Sequence, residues 1–346
     1  MSSAPFSLAA LGWRACFSQQ LTLEEFEHAF PTRIANVHRS LVIGWSERGV
    51  VEAAPLDARI AVGDWALLDT ASHRLVRVLE RETYLSRISA GSQQREQPIA
   101  ANIDTAFLVT SCNHDFNVSR LERYLALTRQ ARIEPVIVLT KADLAPGVDD
   151  LLAQLAQIAP TVAALAMNAL DPTQAAALLP WLRPGSSAVL LGSSGVGKST
   201  LTNTLTGEQL VTYAIREDDS RGRHATTARH MIAVPNGGWI IDTPGMRELN
   251  IGAAKDGVRA TFDDVEAISR RCRFRDCTHE GDAGCAVAAA LRSGELARRR
   301  FESYLKLRRE TRHAAQTERE RREAGRRFGK LQKKAMKDKA RTRDGR

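Results

Sequence analysis

The chain has no apolar run approaching the roughly 20 residues needed to cross a bilayer. Residues Met1 to Gln20 have neither the charged start nor the long apolar core of a signal peptide. Together these absences predict a cytoplasmic protein. Cysteine is sparse as well: of five, three lie between Cys272 and Cys285, and Cys16 and Cys112 stand alone. That distribution suits a local metal site in a reducing compartment better than a disulfide framework. No internal repeat is visible.

What is present is enough for a packed protein. Apolar residues make up 43% of 346, which allows two or three domains with real cores and excludes a disordered adaptor. The net charge of +9 is unevenly placed: Glu295 to Arg346 holds 20 Lys/Arg against 8 Asp/Glu, leaving 29 against 32 before it. The body is therefore at −3 and the tail at +12, which predicts contact with a polyanion, nucleic acid or an anionic membrane, mainly through one end of the chain.

Along the chain, Thr22-Leu-Glu-Glu25 has the form of a capping box opening an amphipathic segment from Leu23 to Phe30, ended by Pro31. From Asn36 to Leu85, short apolar runs (Ser40 to Ile43, Val50 to Ala53, Trp65 to Asp69, Leu75 to Leu79) are separated by Gly, Pro and Asp. They predict an all-β unit of about five strands, for which a small barrel of the OB type fits; a structural β-domain without a ligand would read the same way. Gly91 to Pro98 reads as a polar connector. Strands then alternate with helices. Strands are expected at Ala106 to Thr110, Pro135 to Leu139, Val162 to Leu165, Ala188 to Leu191, Met231 to Val234 and Trp239 to Ile241. Helices are expected at Val118 to Arg132, Asp149 to Ile158, Thr173 to Leu182 and Ser199 to Leu205. This alternation implies a mainly parallel sheet covered on both faces, an α/β domain. The expected division is 1–33 as an N-terminal extension, 34–90 the barrel, 95–252 the α/β domain, 253–300 a cysteine-containing helical domain and 301–346 a basic helical tail.

Gly192-Ser193-Ser194-Gly195-Val196-Gly197-Lys198-Ser199 satisfies G-x-x-x-x-G-K-[ST], directly after an expected strand and before an expected helix that continues through Thr200. In such a loop backbone N–H groups cradle phosphates, Lys198 adds a charge at the β/γ oxygens, and Ser199 offers a hydroxyl to Mg²⁺. The base is left open by this motif. Asp242-Thr-Pro-Gly245 ends a separate strand about fifty residues later, where the Asp can hold Mg²⁺ through water and the Gly245 N–H can meet a γ-phosphate. Thr140-Lys141-Ala142-Asp143 resembles the guanine motif N-K-x-D: Asp143 would accept from the base N1–H and exocyclic amine, and Lys141 would lie along the base. With Thr in place of Asn, one side-chain amide contact is shortened or lost. Asn168-Ala169, after the next strand, could back the base. The guanine motif comes before the phosphate loop, so a P-loop GTPase here would be circularly permuted, which a doubly wound domain with neighbouring termini tolerates.

On Val62-Gly-Asp-Trp65, Ala100-Ala-Asn-Ile-Asp104, Gly222-Arg-His-Ala-Thr-Thr227, the permuted motifs and the cysteine cluster, the chain resembles the RsgA family of circularly permuted GTPases from about Val37 to Arg300. The resemblance implies an OB-fold domain, a GTPase domain, a zinc-containing C-terminal domain, and GTP hydrolysis stimulated by the small ribosomal subunit during its maturation. Met246 stands where many GTPases carry a water-orienting Gln. The polar segment Glu217 to His230 occupies the place of a switch loop: Thr226 or Thr227 could close on Mg²⁺, and His224 could position the attacking water.

Cys272-x₄-Cys277-x-His279-x₅-Cys285 offers three thiolates and one imidazole within fourteen residues. That is a full tetrahedral zinc shell with no position left for water, hence a structural site. The clusters Arg326-Arg-Phe-Gly-Lys330 and Lys333-Lys334 favour phosphate contacts on RNA. The expected partners are thus GTP or GDP, and the small subunit with its rRNA. A monomer is expected. Two rivals stay open, an ATP-using P-loop enzyme and a non-catalytic RNA-binding zinc protein with a relict nucleotide site.

Overall fold

The computed structural model describes residues 6–38, 40–57, 59–88, 96–113, 115–207, 229–235, 237–242, 252, 254–279 and 282–315. After the short helix α1 (Ala15–Ser18), the capping box forms as written. Thr22 Oγ1 accepts from the Glu25 N–H and the Glu25 carboxylate accepts from the Thr22 N–H, opening α2 (Leu23–His28). The helix stops earlier than its apolar pattern suggests. Strand β1 (Ala29–Val37) begins inside the expected helix because Ala29 to Arg33 pair antiparallel with β4 (Trp65–Asp69), a non-local ladder that overrides local periodicity.

Strands β1, β2 (Val42–Ser46), β3 (Gly49–Ala53), β4 and β5 (Leu75–Val78) form an antiparallel unit in the order β3-β2-β1-β4-β5. Phe30, Ile34, Val42, Val51, Ile60, Leu68 and Leu75 fill one face of it. Five strands match the expectation; among the described residues no pairing of β3 with β5 closes them into a barrel. The expected connector is partly structured, since β6 (Tyr84–Ile88) and β7 (Glu96–Ala101) make a hairpin. Ile99, Ala100 and Ala101 at its end are fully buried, and their burial draws the flanking polar residues into the strand.

The α/β part runs β8 (Thr105–Ser111), α3 (Val118–Gln130), β9 (Glu134–Thr140), α4 (Val148–Ile158), β10 (Ala163–Ala166), α5 (Pro172–Ala175), β11 (Ser187–Leu191), α6 (Lys198–Thr206), β12 (Arg229–Ala233) and β13 (Trp239–Asp242). The expected helix from Thr173 to Leu182 becomes a 3₁₀ segment from Ala176 to Trp181, where Pro180 cannot donate an α-helical bond. Strands β10-β9-β8-β11-β13 are parallel neighbours. Successive residues of the central strands serve two cores: Ala106, Leu108, Ile137, Leu139, Val189 and Leu191 face one, Phe107, Val109, Val136, Val138, Ala188 and Leu190 the other. Such two-sided burial is why these strands read as continuous apolar runs. At the far edge β12 is antiparallel to both β13 and β1, so the sheet continues from the α/β part into the N-terminal strands.

A buried cation fastens that junction. The Arg33 guanidinium donates to the carbonyls of Leu11 (2.9 Å) and Asn102 (2.9 Å) and to Ser187 Oγ (3.1 Å), and packs over Trp65. Burial pushes its pKa down to about 10, yet it stays charged at neutral pH. Arg33→Met keeps the packing and leaves those acceptors unbonded, so a loss of about 2–4 kcal/mol is expected in urea unfolding. An unchanged midpoint would show that the acceptors find other donors.

The C-terminal helices are α7 (Lys255–Thr261), α8 (Asp263–Ser269), α9 (Ala286–Ser293) and α10 (Arg298–Ala315). Helix α7 lies against α3 at a distance only glycine allows, since a Cβ on Gly257 would stand 1.9 Å from the Ala126 carbonyl oxygen. The start of the expected basic tail, residues 301–315, belongs to α10, which packs against α7 and α3. Phe301, Ser303, Tyr304, Leu307 and Thr311 of α10 are buried. Arg326 to Lys330 and Lys333-Lys334 lie outside the described residues.

Candidate functional site

The phosphate loop leaves β11 at Gly192 and enters α6 at Lys198. Two glycines are required there. A Cβ on Gly192 would stand 2.2 Å from the Val109 carbonyl of β8, and Gly197, the N-cap of α6, has φ of 95°, in the left-handed region. Beyond the loop the N–H groups of the first turn of α6 have no helical partners and face any ligand held by the loop. Lys198 Nζ donates to the carbonyls of Gly192 (2.8 Å) and Ser193. Burial pushes its pKa down to about 8, against the fields of Asp242 and Asp115, which raise it. The ammonium is therefore poorly solvated and held over its own loop, ready for a stronger anionic partner. Ser199 is exposed in the same turn, with Thr200 half-buried beside it.

The residues expected at the base come to the same place from two other strand ends. Thr140 closes β9, fully buried, with Oγ1 2.5 Å from the Val196 carbonyl and 3.3 Å from that of Thr110. Its hydroxyl thus ties the T-K-A-D segment to the phosphate loop and faces inward. Lys141 follows in the left-handed conformation (φ 57°), and its Nζ donates to the Gly195 carbonyl at 3.0 Å. The Ala142 N–H reaches the Met167 carbonyl, and Asp143 is exposed on the 3₁₀ turn Ala142–Leu144. After β10, Asn168 Oδ1 accepts from the Leu170 N–H, and the Ala169 carbonyl accepts from Thr204 Oγ1 of α6 at 2.7 Å. Asp242 ends β13, which is parallel to β11. His224, Thr226, Thr227, Gly245 and Met246 lie outside the described residues.

The cysteine cluster is a second site, bounded by α8 and α9. The donor atoms of Cys272, Cys277, His279 and Cys285 all lie within 4.8 Å of one another. His279 Nδ1 is 3.7 Å from Cys272 Sγ and 3.6 Å from Cys285 Sγ. Zinc arms of ~2.3 Å to sulfur and ~2.0 Å to nitrogen at the tetrahedral angle separate such atoms by about 3.5 Å, so the side chains fit a metal ion in their midst. The other ring nitrogen, Nε2, lies 3.1 Å from Ser269 Oγ, which orients Nδ1 toward the sulfurs. Asp282 accepts from the N–H groups of Thr278 and His279 and from the Thr278 hydroxyl, folding the turn that carries His279.

The family model described as RsgA GTPase matches residues 78–252. The chain is 48% identical over 341 residues to the small ribosomal subunit biogenesis GTPase RsgA 2 of Vibrio vulnificus, covering 98% of this chain and 97% of that one. It is 45% identical over 320 residues to the small ribosomal subunit biogenesis GTPase RsgA of Mesorhizobium japonicum, covering 90% and 92%. The chain belongs to the RsgA GTPase family. Two solved structures share the fold: YjeQ from Thermotoga maritima (TM-score 0.60, 23% identity, 82% of this chain and 98% of that one) and YloQ, described as a circularly permuted GTPase (TM-score 0.59, 23% identity, 86% and 100%). The permuted order inferred from T-K-A-D standing ahead of the phosphate loop is the order of this RsgA-family fold.

Some neighbours of the site carry no motif. Arg120, in the first turn of α3, donates to Ser193 Oγ of the phosphate loop and pairs with Asp115 at 2.8 Å. Leu144 (77% exposed) and Leu170 (73%) stand uncovered next to the two base segments. No motif in the sequence marked either leucine or Arg120.

Proposed function

We propose that the chain binds GTP in the cleft formed by residues 140–143, 168–169 and 192–200 and hydrolyses it to GDP and phosphate in the course of small-subunit maturation. The observation that carries this reading is the direct bonding of the base segment to the phosphate loop, Thr140 to Val196 and Lys141 to Gly195, which joins the two recognition elements into one site. In this reading Asp143 takes the guanine N1–H and amine, Asn168 and Ala169 back the base, and the backbone of Gly192 to Thr200 cradles the phosphates with Lys198 at the β/γ oxygens. Gly245 meets the γ-phosphate.

Ser199, Asp242 and one of Thr226 and Thr227 would hold Mg²⁺, which supplies charge neutralisation on the phosphates when bound. His224 would orient the water, because Met246 has no group that can. Cys272, Cys277, His279 and Cys285 hold zinc as a structural ion, the metal that a closed set of three thiolates and an imidazole suits. Segments 1–33, 34–90, 95–252, 253–300 and 301–346 serve as extension, OB-type barrel, GTPase domain, zinc domain and basic tail. The partner is the small ribosomal subunit, whose rRNA phosphates match the +12 tail. No helix among the described residues is long and apolar enough to cross a membrane; the proposed setting is the cytoplasm and the proposed state a monomer.

Turnover of GTP and ATP by the full chain and by His224→Ala, each with and without purified small subunits, tests the reading. The expected result is slow GTP hydrolysis, stimulated tenfold or more by the subunit, negligible ATP hydrolysis, and a stimulated rate lowered about 10²-fold in His224→Ala. Equal use of ATP and GTP would remove the guanine assignment, and a fully active His224→Ala would remove that histidine from the mechanism.

A further inference from the structure

Three charged side chains surround Ser193, and only one of them belongs to a recognised motif. Lys198 Nζ bonds the Ser193 carbonyl, Arg120 bonds the Ser193 hydroxyl, and Asp115 holds Arg120 through Oδ1. The second carboxylate oxygen, Asp115 Oδ2, is buried with no hydrogen-bond partner, and the Asp115 field is felt at Lys198. Arg120 therefore sits within one residue of the ammonium expected at the β/γ oxygens. Its backbone is also fixed, because the Arg120 N–H is capped by Asn117 Oδ1 at 3.0 Å. A guanidinium that is one-third exposed, held by a single carboxylate and a neutral hydroxyl, has donors to spare for a phosphate oxygen, a stronger acceptor than a serine hydroxyl.

The next positions of the same helix face elsewhere. Glu122 is fully buried and accepts from Arg299 (3.1 Å), Arg300 (2.8 Å) and Ser303 (2.5 Å) of α10. Arg123 makes a two-point pair with Glu310, 2.5 and 2.8 Å, about two helical turns beyond Ser303 on α10. Breaking a buried carboxylate from three donors is costly, so α3 and α10 shift together rather than slide past each other. The chain itself runs from β13 on to the C-terminal helices, which is one connection between them and the site. Helix α3 is a second, fully packed route.

We propose that Arg120 is a phosphate-sensing residue: its guanidinium leaves Ser193 for the terminal phosphate of a bound nucleoside triphosphate, and α3 passes the movement to α10 through Glu122 and Arg123. This rests on the nucleotide site assigned above and adds to it a residue that distinguishes triphosphate from diphosphate. The cation neutralises charge on the group being transferred, as an arginine supplied in cis does in other GTPases, and Asp115 keeps it close when the phosphate has gone.

Affinities of the full chain for GDP and for a non-hydrolysable GTP analogue, measured for the parent, Arg120→Ala, Arg120→Lys and Lys198→Ala, test the sensing step. Arg120→Ala should weaken the analogue about tenfold while GDP stays within about twofold, with part of the loss recovered in Arg120→Lys. Equal losses for both ligands would reduce Arg120 to a strut for the loop, and no loss for either would also overturn the proposal. Lys198→Ala separates the two levels. If it binds both ligands like the parent, the nucleotide site itself is misplaced; if it loses both while Arg120→Ala loses neither, only the sensor fails. For the relay, amide hydrogen exchange over residues 298–315 should differ between GDP and the analogue in the parent and be the same with both in Arg120→Ala. Identical exchange in the parent would refute the relay.

Discussion

Replacing Lys198 with alanine is expected to lower GTP hydrolysis by at least about 10²-fold and to weaken triphosphate binding strongly, with the fold intact. Among the described residues the ammonium bonds the carbonyls of its own loop, Gly192 and Ser193, and no group of another domain. Its removal from the nucleotide-free protein even relieves the burial of a charge. Single-turnover hydrolysis and equilibrium binding, read beside a thermal melt, separate these effects. A Lys198→Ala protein that has lost hydrolysis yet keeps normal ribosome-linked function would return the chain to the class of RNA-binding proteins with a relict nucleotide site.

The same lysine sets a pH dependence whose direction follows from its pKa of about 8, lowered from 10.5 by burial. In the free protein the ammonium is charged below pH 8 and progressively neutral above it. A bound triphosphate favours the charged form, so binding takes up a proton where the free site has lost one. Affinity is therefore level below about pH 8 and falls as pH rises through it, by up to about tenfold per unit. Lys198→Arg, which does not titrate in that range, should show a flat profile. For stability of the free protein the sign is opposite: the unfolded chain keeps the proton between pH 8 and 10.5, so this residue's contribution improves as pH rises through that window.

Loss of the metal should have the largest structural effect. Structural zinc sites in small peptides are worth roughly 10–16 kcal/mol of binding energy near neutral pH, which becomes folding energy when no site exists in the unfolded chain. Here the connection between α8 and α9 is otherwise held, among the described residues, by hydrogen bonds to Asp282 and to the Gly284 carbonyl. Cys285 is both a donor to the cluster and the N-cap of α9, accepting from the Ala288 N–H through Sγ at 3.3 Å. One zinc per chain is expected by metal analysis, and Cys285→Ala should lose it. Limited proteolysis of the variant should then cut between α8 and α9, while α10 stays protected by its buried pairs with α3. Purified parent protein with no bound metal and three freely titrating thiols would overturn the assignment.

Much of this site was legible because its parts are local. Gly197 is dictated by its left-handed backbone within the eight-residue loop, although Gly192 answers to the distant Val109 carbonyl, and the donor spacing of Cys272 to Cys285 fits within fourteen residues. The central strands announced themselves by unbroken apolar runs, a direct result of burial on both faces. Thr140 was legible only in part. As a sequence symbol it marked a lost amide contact, whereas in the fold its hydroxyl serves the phosphate loop, because the β9 end lies beneath Val196.

Other features were decided by contacts between residues far apart in the chain. Strand β1 displaced the end of an expected helix because Ala29 to Arg33 found β4, and its last residues found β12 at the edge of the α/β sheet. Arg120 meets Ser193 across 73 residues, and Glu122 meets Arg300 across 178. By itself the sequence marked a phosphate-loop motif, the T-K-A-D turn and a set of four metal donors, since each depends on backbone conformation within one short segment. Only the tertiary structure decided which charges stand around that site and which helices are tied to each other by buried ion pairs. Those are set by whole-chain packing, where a buried ion such as Arg33 or Glu122 is tolerated only if distant segments supply its partners.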